Sequence, residues 1–154
     1  MRGPRGRNLP CPEEGAQHYN GRVHQHDDIF ARLAAAGALL REVRPSLMRQ
    51  TPELRQRWFQ SGGYDLFLWY DHVRGLSHIQ LTLEDRAAVE WFDGQPVQTS
   101  RLAEFGIARH AEDKSRLVHD RAPDAQTLAE ARALLSEANV DEITLALVRR
   151  HLDF

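Results

Sequence analysis

The run that decides the fold is Tyr64–Ser100. It reads YDLFLWY (Tyr64–Tyr70), LSHIQLTL (Leu76–Leu83) and AAVEWF (Ala87–Phe92), then Asp93-Gly94 and PVQTS (Pro96–Ser100). Each segment is short, rich in aromatic and aliphatic side chains and bounded by turn residues, which is the pattern of successive strands. Leu66, Leu68 and Tyr70 alternate with Phe67 and Trp69, so the first strand is apolar on both faces and is expected to be central. In the second, Ile79, Leu81 and Leu83 point one way and His78, Gln80 and Thr82 the other, covering a core on one face only. Glu84-Asp85-Arg86 turns the chain into the third. Asp93-Gly94 is a tight-hairpin signal, because both residue types tolerate positive φ. Pro96 has no N–H to give a ladder and is expected to make the last segment an edge strand.

Working outward, residues 1–26 hold three of the seven prolines and four of the ten glycines, and are expected to form a flexible N-terminal arm. The remainder, 27–154, is expected to be a single α+β domain. Asp27 or Asp28 is placed for an N-cap, with Ile29, Phe30, Leu33, Ala36, Gly37, Leu40 and Val43 at helical spacing after it. Pro45 is expected to stop that helix near Arg44. Thr51-Pro52-Glu53 reads as the start of a short helix carrying Leu54 and Trp58, with Gly62-Gly63 ending it. Residues 101–121 are polar, with one more strand within Ser115–Asp120. The C-terminus reads as two helices. Pro123-Asp124 opens the first, with Leu128, Ala131, Leu135 and Ala138 inward. Asp141 caps the second, with Ile143, Ala146 and Leu147 inward. The fold class expected is α+β: an antiparallel meander of four to five strands packed with N-terminal helices and a C-terminal helix pair.

Composition narrows the function classes. The chain has 154 residues, 42% hydrophobic and 27% charged, with a net charge of −2, so no bulk charge draws it to nucleic acid or an anionic membrane. Residues 1–60 carry ten Arg against six acids, and residues 61–154 ten bases against sixteen acids; this asymmetry reads first as a solvated surface. Cys11 is the only cysteine, which excludes an intramolecular disulfide and a cysteine-based metal site. The most apolar stretch, Ile29–Leu40, is too short to span a bilayer. Arg2, Arg5 and Arg7 are not followed by an apolar segment of the kind a secretory signal needs. A cytoplasmic protein is expected.

No motif of established chemistry stands out. His24-Gln25-His26 with Asp27-Asp28 has metal-type residues, and alternate histidines on a strand would face one side, but nothing places further ligands; no metal and no cofactor are expected. Trp69, Asp71, His72, His78 and Glu90 are the candidate ligand- or partner-binding residues, with Asp65 on the same hairpin. A histidine beside a carboxylate can do acid–base work, yet Asp71 and His72 suit a turn, and His78 and Glu90 suit a cross-strand pair on the polar face. There is no G-x-S-x-G elbow and no phosphate-cradling loop. The C-terminal helix pair has helix-turn-helix spacing, but its second helix opens Asp141-Glu142, which phosphate repels, and Arg149, Arg150 and His151 come only at its end. Trp58, Trp69 and Trp91 are core candidates. Trp69 is the best placed to sit on an open face as a binding anchor.

Residues 55–92 resemble a family of small bacterial α+β proteins with no assigned activity. The resemblance rests on Arg57-Trp58-Phe59 ending a helix, Asp65-Leu66-Phe67-Leu68-Trp69 in the following strand, Ile79-Gln80-Leu81 in the next, and Trp91 late in the third. It implies a bacterial cytoplasmic protein and transfers no functional residue. The leading expectation is a non-catalytic binding or adaptor module with an unnamed protein or small-molecule partner, self-associating, if at all, through a sheet edge or face. The alternatives are a small metal-dependent or His/carboxylate hydrolase, and a DNA-binding accessory protein acting through the C-terminal helices.

Overall fold

The strand-rich run folds as its alternation dictates, and the sheet extends beyond it on both sides. The computed structural model describes residues 21–48, 50–84, 86–102 and 117–153. Among them are three α-helices and one seven-stranded sheet: α1 (Gly21–Ala38), β1 (Arg41–Glu42), a 3-10 turn (Pro45–Leu47), β2 (Leu54–Ser61), β3 (Tyr64–Asp71), β4 (Gly75–Leu83), β5 (Ala87–Phe92), β6 (Gln98–Leu102), β7 (Leu117–His119), α2 (Ala125–Ser136) and α3 (Glu142–His151). The strands lie in the order β1 to β7, each antiparallel to the next. The α+β meander stands, with seven strands rather than four or five. No described helix is long and apolar enough to cross a membrane.

Several sequence expectations give way. Leu54–Ser61 is a strand, not a helix, and its eight residues pair in full with β3 from Leu54↔Asp71 to Ser61↔Tyr64. Gly62 and Gly63 both have positive φ, so the pair forms the tight turn of a hairpin instead of a helix end. α1 starts at Gly21, which puts Asp27 and Asp28 inside the helix rather than at its cap, and places His24 and His26 on helical rather than strand backbone. It ends at Ala38, well before Pro45, because the chain turns at Leu39, which stays exposed, and carries Leu40 into the core, where it is fully buried. The Asp93-Gly94 connection runs from Phe92 to Gln98, and only Gly94 takes positive φ, so it is a five-residue loop and not a two-residue hairpin. Pro96 lies in that loop. β6 is interior, pairing with β5 and β7, so the edge assignment fails; β7 supplies the extra strand expected near residues 115–120. The part of the expected arm at 1–20, with Cys11, lies outside the described residues.

All three helices pack on one face of the sheet. Leu33 of α1, Ala131, Leu134 and Leu135 of α2, and Val148 of α3 join Phe59, Leu66, Leu68, Ile79, Leu81, Val89 and Trp91 in one core. The burial of these side chains stabilises the fold by roughly 1.5–3 kcal/mol each before entropy is subtracted. The helix pair starts as read. Asp124 and Asp141 each accept from the backbone N–H three residues on, at 2.9 and 3.0 Å. On α3, however, the inward stripe is Thr144, Val148 and Leu152, while Ile143 and Ala146 face out and Leu147 is half-buried. Arg57 pins this helix to the sheet. Its guanidinium donates to both Glu42 carboxylate oxygens at 2.7 and 2.9 Å, to Asp141 Oδ2 at 2.9 Å and to Thr144 Oγ1 at 2.7 Å.

Candidate binding face of the sheet

Since α1, α2 and α3 share one face, the opposite face has no helical cover among the described residues. The strand register fixes what it shows. Trp58 sits across from Phe67, Gln56 from Trp69, Trp69 from His78, Phe67 from Gln80, and His78 from Phe92. Period-2 alternation puts all of these on the side away from Leu66, Leu68 and Ile79. Glu90, Ser100 and His119 continue the same face across β5, β6 and β7. Trp58 and Trp69 are thus outer-face residues, and Trp91 alone of the three tryptophans is core.

Five rings stack in series across this face. Trp58 and Phe67 have centroids 5.3 Å apart with planes at 18°, Phe67 and Trp69 5.7 Å and 29°, Trp69 and His78 4.1 Å and 12°, and His78 and Phe92 3.9 Å and 14°. Trp58 Nε1 donates to Asp65 Oδ1 at 2.7 Å, which anchors one end of the row. Phe92, 40% exposed, ends the other. Aromatic pairs of this kind, cross-strand except for Phe67–Trp69 within β3, add roughly 0.5–1.5 kcal/mol each beyond area burial. Each inner ring has its faces taken by its neighbours. The row therefore offers ring edges, plus the outward faces of Trp58 and Phe92.

A polar group adjoins the row. Glu90 is only 9% exposed. His78 Nε2 lies 3.8 Å from one of its oxygens and His119 Nδ1 3.8 Å from the other. At that distance neither is a hydrogen bond, and each becomes an ion pair when its imidazole is protonated. His78 Nε2 is buried without a hydrogen-bond partner among the described residues, and so is Ser100 Oγ. His78 and Glu90 are diagonal neighbours rather than the direct pair the sequence suggests, since Gln80 stands opposite Glu90.

The expected site residues therefore divide. Trp69, His78 and Glu90 come together on the open face. Asp71 is the last residue of β3 and His72 the first of the turn to β4. Asp71 Oδ1 accepts from Val73 N at 2.7 Å and Arg74 N at 3.0 Å, and these backbone donors hold its carboxyl below the usual carboxylate range. Sequence reasoning missed Phe67, Phe92, Ser100 and His119 as members of the face. Phe67 was visible in the alternation of β3, but Ser100 and His119 join only through the pairing of two strands whose register is not written locally.

The chemistry open to this group is limited. Ser100, His119 and Glu90 have the residue types of a nucleophile, base and orienting acid, but Ser100 is fully buried and its Oγ bonds to no base among the described residues, whereas a nucleophile must meet both base and substrate. Among the described residues no group of three His, Cys, Asp or Glu is placed to hold a metal ion. The 3.8 Å N–O separations exceed the ~3.3 Å edge of a tetrahedron built on zinc bonds of ~2.0 Å.

No family model, no curated protein and no solved structure matches this chain. What the face can do therefore rests on its own geometry.

Proposed function

We propose that this protein is a non-catalytic binding module whose docking surface is the helix-free face of the sheet, with the Trp58–Phe67–Trp69–His78–Phe92 row as its apolar centre and Glu90 as its polar anchor. The observation that carries this reading is the stack of five rings on a face no described helix covers. The row is half-exposed from Trp58 to His78 and exposed at Phe92; contiguous apolar surface of this kind marks interaction sites, and tryptophan is enriched among the residues that dominate binding energy. The form of the stack favours a protein surface. Bases and sugars need free ring faces to stack on, and the inner rings here have none. Ring edges beside a nearly buried carboxylate suit an apolar patch bearing a hydrogen-bond donor.

The DNA-binding alternative has less support. Asp141 and Glu142 lead α3, and Arg149, one of its few cations, donates to Leu135 O at 2.5 Å and Ser136 O at 3.0 Å, closing the C-terminus of α2. The hydrolase alternative has less support, because Ser100, the serine beside His119 and Glu90, is fully buried.

The test is native against denaturing mass spectrometry of the protein purified from its own cells, repeated with Trp69→Ala. Trp69 lies outside the main core, so the variant keeps its far-UV circular dichroism. Extra native mass present in wild type and absent from the folded variant supports the reading. Extra mass that the folded variant retains overturns it.

A further inference from the structure

We infer that α3 pairs antiparallel with α3 of a second copy of this chain, about a two-fold axis at Ala146. α3 carries two apolar stripes where a surface helix needs one. Thr144, Val148 and Leu152 fill the inner stripe and are buried. The outer stripe is Ile143, Ala146 and the half of Leu147 that does not pack against the core, with Ile143 83% exposed, the most exposed large apolar side chain among the described residues. Together with Glu142 and Arg150 these residues line one shallow groove. Positions 143, 146, 147 and 150 follow the i, i+3, i+4, i+7 spacing of a helix–helix seam.

The charges at the ends of the groove select the occupant. Glu142 lies four residues before Ala146 and Arg150 four residues after it. Neither forms an ion pair among the described residues. A two-fold axis at Ala146 brings Glu142 of each copy level with Arg150 of the other, so both charges are matched twice by one symmetric arrangement, as an isologous interface requires. Ala146 has the smallest side chain of the stripe and sits where the helices cross, letting the backbones approach, while Ile143 and Leu147 close the seam on either side. The parallel arrangement would instead set Glu142 against Glu142 and Arg150 against Arg150.

Ten helical residues span only about 15 Å, so the contact falls well short of the ~800 Å² per partner of a standard stable complex. The dimer is therefore expected to be concentration-dependent, with a dissociation constant on the order of 10–100 μM. Sedimentation velocity over a dilution series reads this directly. Wild type is expected to shift from monomer to dimer as concentration rises. Ala146→Glu, at an exposed position, puts two carboxylates at the axis and is expected to stay monomeric. Glu142→Arg and Arg150→Glu are each expected to weaken dimerisation at least tenfold, and the double exchange to restore it, which a nonspecific surface effect would not do. Wild type that remains monomeric to about 1 mM, far above this expected constant, or a double exchange no better than the single variants, overturns the pairing.

Discussion

Gly37 shows how one missing atom sets a helix position. α1 and α2 approach so closely there that a Cβ on Gly37 would lie 1.9 Å from the Leu134 carbonyl oxygen. That neighbour is backbone inside a buried helix and cannot swing aside. The same junction is tied by Asn139, whose backbone N–H donates to Gly37 O at 3.0 Å and whose Nδ2 donates to Leu40 O at 3.0 Å, closing the C-terminus of α1 with the loop between α2 and α3. Two effects oppose each other in Gly37→Ala. Helix propensity favours alanine by about 1 kcal/mol, whereas overpacking a filled contact costs about 1–3 kcal/mol and sometimes more. A backbone clash this short leaves the second effect dominant, so Gly37→Ala is expected to lower the thermal midpoint by several degrees and to disturb α1 most. A melt as high as wild type would show that the two helices can part without cost.

At the scale of elements, the legible parts were those whose local pattern agrees with their final pairing. β3 and β4 alternate cleanly, and both helix caps, Asp124 and Asp141, carry their hydrogen bond within three residues. β2 was lost because Leu, Arg and Gln suit a helix, and a Thr-Pro-Glu start precedes them; pairing with β3 along its full length overrode that propensity. The inward stripe of α3 is not legible, because Ile143, Ala146 and Leu147 are the more apolar set; only Leu147 of them packs against the core, and which side turns inward depends on the sheet beneath it. Of the candidate site, Trp69, His78 and Glu90 could be read from alternation, but the row of rings needs the β4–β5 register, and the place of Ser100 and His119 needs β6 and β7. Some attachments had no local signal at all. Thr99 is 1% exposed; its hydroxyl donates to Asp120 Oδ2 at 2.6 Å and accepts from Asp124 N at 2.8 Å, fastening the cap of α2 to β6. Thr99→Val keeps the shape and removes both bonds, leaving the Asp124 N–H without its partner. The expected loss is about 1–3 kcal/mol, with amide exchange accelerating first at Thr127 and Leu128 on the opening turn of α2. Uniform acceleration across α2 and α3 would place the effect elsewhere.

For the whole molecule, the carboxylates that join helices to sheet share one electrostatic character. Glu42 is held below its ordinary pKa chiefly by the Arg57 guanidinium, Asp120 by the Thr99 hydroxyl and Arg101, Asp124 by the backbone and side chain of Thr127, and Asp141 by the Thr144 N–H. In each case the folded value lies below the unfolded one, so the native state binds fewer protons, and the contribution is present above pH ~4 and lost as pH falls through the lowered values. His151 adds an earlier limb. Its ring lies 4.0 Å from that of Trp91, and burial lowers its pKa. The neutral imidazole is therefore the form the fold favours, and its contribution begins to fade below pH ~6.5. Asp141 is half exposed and Glu42 more than a third, so solvent screens their ion pairs and those steps are small. Urea midpoints measured from pH 8 to pH 2.5 are expected to show a shallow decline beginning near pH 6.5 and a steeper one below pH ~4. His151→Gln should remove the first limb alone, and Asp141→Asn should flatten part of the second while lowering stability at neutral pH. Because the acidic limb reports the seams between helices and sheet, protonation there is expected to free α2 and α3 before the β2–β5 ladder opens. Tryptophan emission from Trp91 beneath α3 should then change at higher pH than the far-UV signal of the sheet; coincident transitions would mean that helices and sheet unfold as one unit.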